Sequence, residues 1–129
     1  MSRLSQHQTL ELMAGIEQFN SGEFYQCHET LEKLWLHYPT PDREVIQGII
    51  QIAVGYYHLS RANQAGGLKL LKRGVQRLQK FAPAHFGIDL DSFIAKVSKE
   101  ITRTEAHAEP PSCGFEIPRI EFISATDDC

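Results

Sequence analysis

Along most of the chain, apolar residues recur three and four positions apart, the signature of helices with one buried face. In "SQHQTLELMAGIEQF", Leu12, Met13, Ile16 and Phe19 follow a Ser5–Gln8 pair spaced as a capping box, which predicts a helix from Ser5 to about Phe19. "NSGE" breaks it at Gly22. Asn20 and Glu23 can cap a second helix, with apolar positions Phe24, Cys27, Leu31, Leu34, Trp35 and Tyr38 and an end near His37. "YPTPD" then predicts a turn, with Thr40 as N-cap and Pro41 in the first helical position, where a missing N–H costs nothing. The third helix runs from there to about Ala62. Asn63 and the small residues Ala65, Gly66 and Gly67 reset the chain before "LKLLKRGVQRLQKF", in which Leu68, Leu71, Val75 and Leu78 stripe a fourth helix. After the loop "FAPAHFGID", Asp89 or Asp91 can cap a fifth, carrying Leu90, Phe93, Ile94, Val97 and Ile101. Regularity fades beyond Thr102.

The pattern therefore predicts an all-α fold: a compact antiparallel bundle of about five helices, built from helical hairpins. Residues 1–103 form its single domain, since 129 residues fill one core but not two. Residues 104–129 read as an irregular tail that contributes little to the helical fold. In it, Pro110, Pro111 and the alternating apolar positions of "FEIPRIEF" around Pro118 suit an extended surface arm rather than a central strand. The arm is expected to pack on the body or to join a second copy of the chain. Two segments share an Asn, a nearby Gly and a following amphipathic helix, but a stacked-repeat protein needs at least about three such units.

Charge and cysteine content narrow the classes. Thirteen basic against sixteen acidic residues, net −3, lack the basic excess of a nucleic-acid or anionic-membrane binder. The basic face of the fourth helix, with Lys69, Lys72, Arg73, Arg77 and Lys80, reads as a solvated face. The N-terminus has no apolar run of the secretory kind and no stretch is long enough to span a bilayer, so a cytoplasmic protein is expected. Cys27, Cys113 and Cys129 form neither a disulfide framework nor a paired metal knuckle, and reduced thiols are expected.

The chemistry concentrates in "CHETLEKLWLHY". With His28 at zero on a helical wheel, Cys27, Phe24, Leu31, Leu34 and Trp35 fall to one side, and Tyr25 and Leu36 to the other beyond Glu32. His28 and Glu32 are thus expected inside the apolar arc, with Glu29 at its margin. A buried carboxylate needs a donor. The third helix has no Asp, Glu, Lys or Arg from Val45 to Ser60 and reads as the central helix; Gln47, Gln51 and His58 share one stripe, beside Gly48 and Gly55, which let another helix approach. An antiparallel hairpin about "YPTP" sets Gln47 opposite Glu32 and Gln51 opposite His28. The expectation is a buried His–Glu–Gln network that fixes the register of two helices.

Taken in order, "FNSGEFYQCHETLEKLW", "QGIIQIAVGYYH", "AGGLKLL" and "GIDL" resemble the family known as domain of unknown function 309, small helical proteins of bacteria, archaea and plastids. The resemblance covers about Phe19 to Leu90. It implies a compact all-helical fold, with the family's motif falling on His28, Glu29, Glu32, Trp35, Gln47, Gly48, Gln51 and His58. It implies no activity.

Two classes of function remain. One is a binding or interaction module for a small molecule or a protein, with Trp35, Gln47, Gln51 and His58 as candidate ligand-binding residues. The other is a small hydrolase-like enzyme or metal-binding protein that uses His28, Glu29 and Glu32, in which His28 and Glu32 at i and i+4 are two ligands on one face and Glu29 a base. His58, the natural third ligand, falls about two turns, roughly 10 Å, from the His28 level. No Glu-x-x-His spacing of a di-iron bundle occurs. No metal and no cofactor are therefore expected. Phosphate loops, dinucleotide turns and nucleophile elbows are missing from the sequence. Cys27 is poorly set as a nucleophile, because neighbouring helical residues diverge by about 100°.

Overall fold

The computed structural model describes residues 4–107 and 115–123; Cys113 and Cys129 lie outside them. Five helices follow one another: α1 Gln6–Asn20, α2 Phe24–Leu36, α3 Arg43–Ser60, α4 Gln64–Gln79 and α5 Leu90–Glu105. Each packs on the next in sequence, the α3–α4 contact being the most extensive. The architecture is all-α. Among the described residues, strand structure is confined to a short hairpin in the α4–α5 connection, β1 Ala84–His85 against β2 Ile88–Asp89, and a bridge from Ile88 to Phe122. Phe86 and Gly87 turn that hairpin with φ of 53° and 75°.

The helix starts show which polar residues serve the backbone. Ser5 Oγ accepts from the Gln8 N–H at 3.0 Å while Gln8 Oε1 accepts from the Ser5 N–H at 2.9 Å, the expected capping box. Gly22, at φ 81°, makes the α1–α2 turn. Asn20 does not cap α2; both ends of its amide are used elsewhere, as described below. Asp42, not Thr40, is the N-cap residue of α3, so Pro41 stays in the turn and the helix starts two residues later than the proline suggests. Helix α4 starts at Gln64 because Asn63 Oδ1 accepts from the Gly66 N–H at 3.1 Å. Of the two candidate caps for α5, Asp89 is used, its Oδ1 accepting from the Ser92 N–H at 3.1 Å.

The core is aliphatic with an aromatic knot. Phe19 meets Phe24, Tyr56 and Phe93 edge-on, with centroids 5.2, 6.1 and 5.4 Å apart. Around these rings Leu12, Ile16, Leu31, Leu34, Ile46, Ile49, Ile52, Leu71 and Leu78 are buried. Gly48 and Gly55 do admit a neighbouring helix, and the neighbour answers with glycines of its own. A methyl group on Gly74 would lie 2.8 Å from the Gly48 carbonyl oxygen, and one on Gly67 would lie 2.9 Å from that of Gly55. The backbones of α3 and α4 thus touch at two places seven residues apart.

The segment 115–123 belongs to this core, against the expectation of a tail that contributes little. Ile120 is 1 % exposed and Pro118 is buried. Asn20 Nδ2 donates to the Ile120 carbonyl at 3.0 Å and its Oδ1 accepts from the Ile120 N–H at 2.8 Å. Phe115 lies 5.0 Å from the Tyr56 ring, and the Asp89 N–H donates to the Glu121 carbonyl at 2.9 Å. The alternating apolar residues that suggested a surface arm face inward because Asn20 and β2 give the arm's backbone the partners a buried extended segment requires.

Candidate functional site

Helices α2 and α3 run antiparallel, with contacts that fix their level. Arg43 lies over the Trp35 ring, 4.0 Å from its centroid, and the Tyr25 and Tyr57 rings are 5.9 Å apart. The paired numbers sum to 78 and 82, which brackets the 79 expected for Glu32 with Gln47 and His28 with Gln51. The level foreseen from the short turn is therefore correct.

The facing is not. Glu32 has a side chain 56 % exposed, and its ionic contact is within α2, to His28 Nε2 at 3.8 Å. No hydrogen bond joins it to Gln47 among the described residues. Gln51 turns the other way, toward α4, where its Oε1 accepts from Arg77 Nε at 3.0 Å. The reason lies in the wheel. The four buried positions Phe24, Cys27, Leu31 and Leu34 centre about 80° from His28 on the side away from Glu32, so the carboxylate sits about 120° from the buried direction. The expected buried His–Glu–Gln network is an open surface pair.

These positions still compose one feature. Tyr25, His28, Glu32 and Trp35 follow each other by three or four residues along α2; Arg43, Gln47, Ile50, Val54, Tyr57 and Arg61 do so along α3 and its C-cap. The two stripes run along the seam, or groove, where α2 and α3 meet. It holds His28, Glu32, Trp35 and Gln47 of the predicted residues and adds Tyr25, Tyr57, Arg43 and Arg61, which the sequence reading left out. Arg61 lies over Tyr57 at 5.4 Å, and Tyr25 is 6.0 Å from the His28 ring. Glu29 is exposed beside the groove. His58 is elsewhere: its ring nitrogen meets Asn63 Nδ2 at 3.4 Å at the C-terminal end of α3.

Cys27 is fully buried, and burial pushes its thiol up to about 12 despite a hydrogen bond with the Phe19 backbone. A neutral thiol without solvent access is an inert core group, not a nucleophile. Among the described residues, no group of three His, Cys, Asp or Glu side chains is placed to hold a metal ion.

Two polar clusters escaped the sequence reading. Buried Asp42 accepts from Tyr38 Oη at 3.3 Å and from Thr40 Oγ1, and meets His85 Nε2 at 2.8 Å, which ties the α2–α3 turn to the hairpin. On α5, buried Glu100 accepts from Arg103 Nη2 at 3.1 and 3.0 Å and from Thr104 Oγ1 at 2.8 Å. Near it, burial first and the Glu100 charge second raise the pKa of Tyr56, whose hydroxyl has no hydrogen-bond partner among the described residues. Glu100 and Thr104 were legible: they stand seven and eleven positions after Phe93, on the buried stripe. Asp42 was hidden inside a turn motif that explains an Asp without further partners.

Fold and groove together define a small all-α protein with its aromatic and charged groups on an open helix–helix surface, and no helix among the described residues is long and apolar enough to cross a membrane. Residues 12–70, a little under half of the chain, match the model of the family described as "Domain of unknown function (DUF309)". The match takes in α1 from Leu12 and stops within α4, so "GIDL" lies beyond it and most of α1, read above as outside, lies within. Among relatives, the chain is 38 % identical over 58 residues to "Uncharacterized protein YpuF" of Bacillus subtilis (strain 168), covering 44 % of this chain and 33 % of that protein. It is 24 % identical over 100 residues to an "Uncharacterized protein" of Aquifex aeolicus (strain VF5), covering 77 % of this chain and 30 % of the relative. The chain thus spans about a third of the length of these relatives.

Proposed function

We propose that the protein is a cytoplasmic helical binding module and that the α2–α3 groove is its binding face for a small molecule or a protein segment. One observation carries this reading: rings and aliphatic groups are left at the surface along a single line. Tyr25 is 53 % exposed, Trp35, Val54 and Tyr57 are half-buried, and Trp35 and Tyr57 each have a guanidinium above them. Aromatic residues and arginine are the groups recognition surfaces enrich, because they offer large rigid area and oriented donors at low entropic cost. His28, Glu29 and Glu32 supply hydrogen-bonding groups at the middle of the face. The pair His28–Glu32 lies open to solvent, which suits recognition better than hydrolysis, a reaction that profits from a site closed to bulk water.

Trp35 is the chain's single tryptophan, so its emission reports on this face alone. A small-molecule fragment collection screened by Trp35 emission and by amide chemical shifts should yield ligands that perturb residues 25–35 and 43–61. Tyr25→Ser should weaken them without moving the unfolding midpoint. Fragments that gather instead around Asp42 and His85, leaving Trp35 unaffected, would refute the assignment.

A further inference from the structure

Resting on that reading of the groove, we infer that its occupant is an acidic peptide segment, gripped at its two ends by Arg43 and Arg61. Both guanidinium groups are held in place without being used. Each lies over a ring, and neither has an ion-pair or hydrogen-bond acceptor for its side chain among the described residues. Arg77 and Arg103, by contrast, are engaged, with Glu44 at 2.8 Å and with Glu100, and Arg73, on α4, lies over no ring. A stacked guanidinium keeps its donors in a fixed plane that matches a carboxylate, and ordering it in advance lowers the entropic cost of binding.

The two arginines stand eighteen residues apart along α3, about 27 Å by the helix rise. An extended peptide covers that span in about eight residues. Between the arginines the α3 stripe presents Gln47, Val54 and Tyr57 over buried Ile50, so the middle of the segment should be apolar or uncharged. Glu29 and Glu32 border the same stretch and disfavour a continuous polyanion. Together with the net charge of −3, they favour a peptide with separated acidic ends over a nucleic acid.

The test uses the full chain and a blocked ten-residue peptide with two glutamates at each end and leucine alternating with serine between them. Binding is read by Trp35 emission and by the anisotropy of a labelled peptide. The glutamate peptide should bind more tightly than its all-glutamine counterpart, and its affinity should fall as salt is raised. Arg43→Gln and Arg61→Gln should each weaken it by about threefold to fivefold, as expected for one exposed ion pair, while Arg73→Gln, on α4 away from the groove, should not. Because neither guanidinium supports the fold through a polar partner, both variants should stay folded and lose no more than the contact with their ring. Equal binding of the two peptides with a shift of Trp35 would sink the acidic occupant and leave the groove standing. No binding of the glutamate peptide at millimolar concentration, or tighter binding of a single-stranded oligonucleotide at the same residues, would overturn the inference, whereas the fragment screen judges the groove separately.

Discussion

At the scale of single residues, the molecule separates polar groups that the fold uses from those it merely tolerates. Tyr56 belongs to the second kind, with its ring in the aromatic knot and its hydroxyl buried without a partner among the described residues. An unsatisfied buried hydroxyl carries a desolvation cost that a hydrogen atom lacks. Tyr56→Phe should therefore leave stability unchanged or raise it by up to about 1 kcal/mol, which urea melts would read. A loss of more than that would mean that the hydroxyl is satisfied in solution. Cys27 gives a pH dependence of definite sign. Its thiol is neutral in the fold up to about 12 but ionises from about 9.0 once exposed, so below pH 9 both states hold the proton and stability is insensitive to it. From pH 9 to 12 the unfolded chain releases the proton and the folded chain does not, so stability falls with rising pH, by at most about 1.4 kcal/mol per unit. The alkaline slope of the unfolding free energy should be shallower in Cys27→Ala than in the parent; equal slopes would show that the thiol is not held neutral.

At the scale of elements, what the sequence made legible is the axial order, and what it hid is the azimuth. Periodicity located all five helices and the short turn set the level of α2 against α3, because turn length and helix rise act along the axis. The rotation of α2 about its own axis depends on what its neighbours bury. Four strongly apolar residues, Phe24, Cys27, Leu31 and Leu34, outweighed the two on the other side, Tyr25 and Leu36, that made Glu32 look enclosed and are themselves exposed. The consequence is measurable: Glu32→Gln and Gln47→Ala should act additively on stability within about 0.3 kcal/mol, and a larger coupling would restore the buried pair. Glycine spacing was the most informative element-level signal. Gly48 and Gly55 found their counterparts in Gly74 and Gly67, although the sequence reading assigned the glycines near α4 only to a chain reset. Gly74→Ala drives a methyl against Ile52 and the Gly48 carbonyl, and neither α3 nor α4 can withdraw without opening the other contact. A cost of about 1–3 kcal/mol is expected, measurable by denaturant melts. A neutral Gly74→Ala would show that the two helices are not in backbone contact.

At the scale of the whole molecule, the question is how a chain with little strand structure closes the open side of its bundle. Helix α1 packs on α2 and α5 on α4, and although Phe19 meets Phe93 across the core, the surface between the two ends of the series still has to be covered. The segment 115–123 covers it, joining Asn20 at the end of α1 to β2 at the start of α5. Its composition hid this role, since a proline and alternating charges look like surface, and only Asn20, 100 residues away, provides the reciprocal hydrogen bonds that make burial of Ile120 affordable. Ile120→Ala should cost about 2–5 kcal/mol, the range for a fully buried branched side chain. Asn20→Ala should cost about 1–3 kcal/mol, because it leaves the Ile120 N–H and carbonyl without partners. Removing residues 108–129 should lower the unfolding midpoint further, and in that shortened chain Asn20→Ala should cost much less than in the full one, since its partner is gone. If the shortened chain fails to fold, the two point variants decide the matter alone. A shortened chain as stable as the parent, with Asn20→Ala equally costly in both, would show that the bundle closes without its arm.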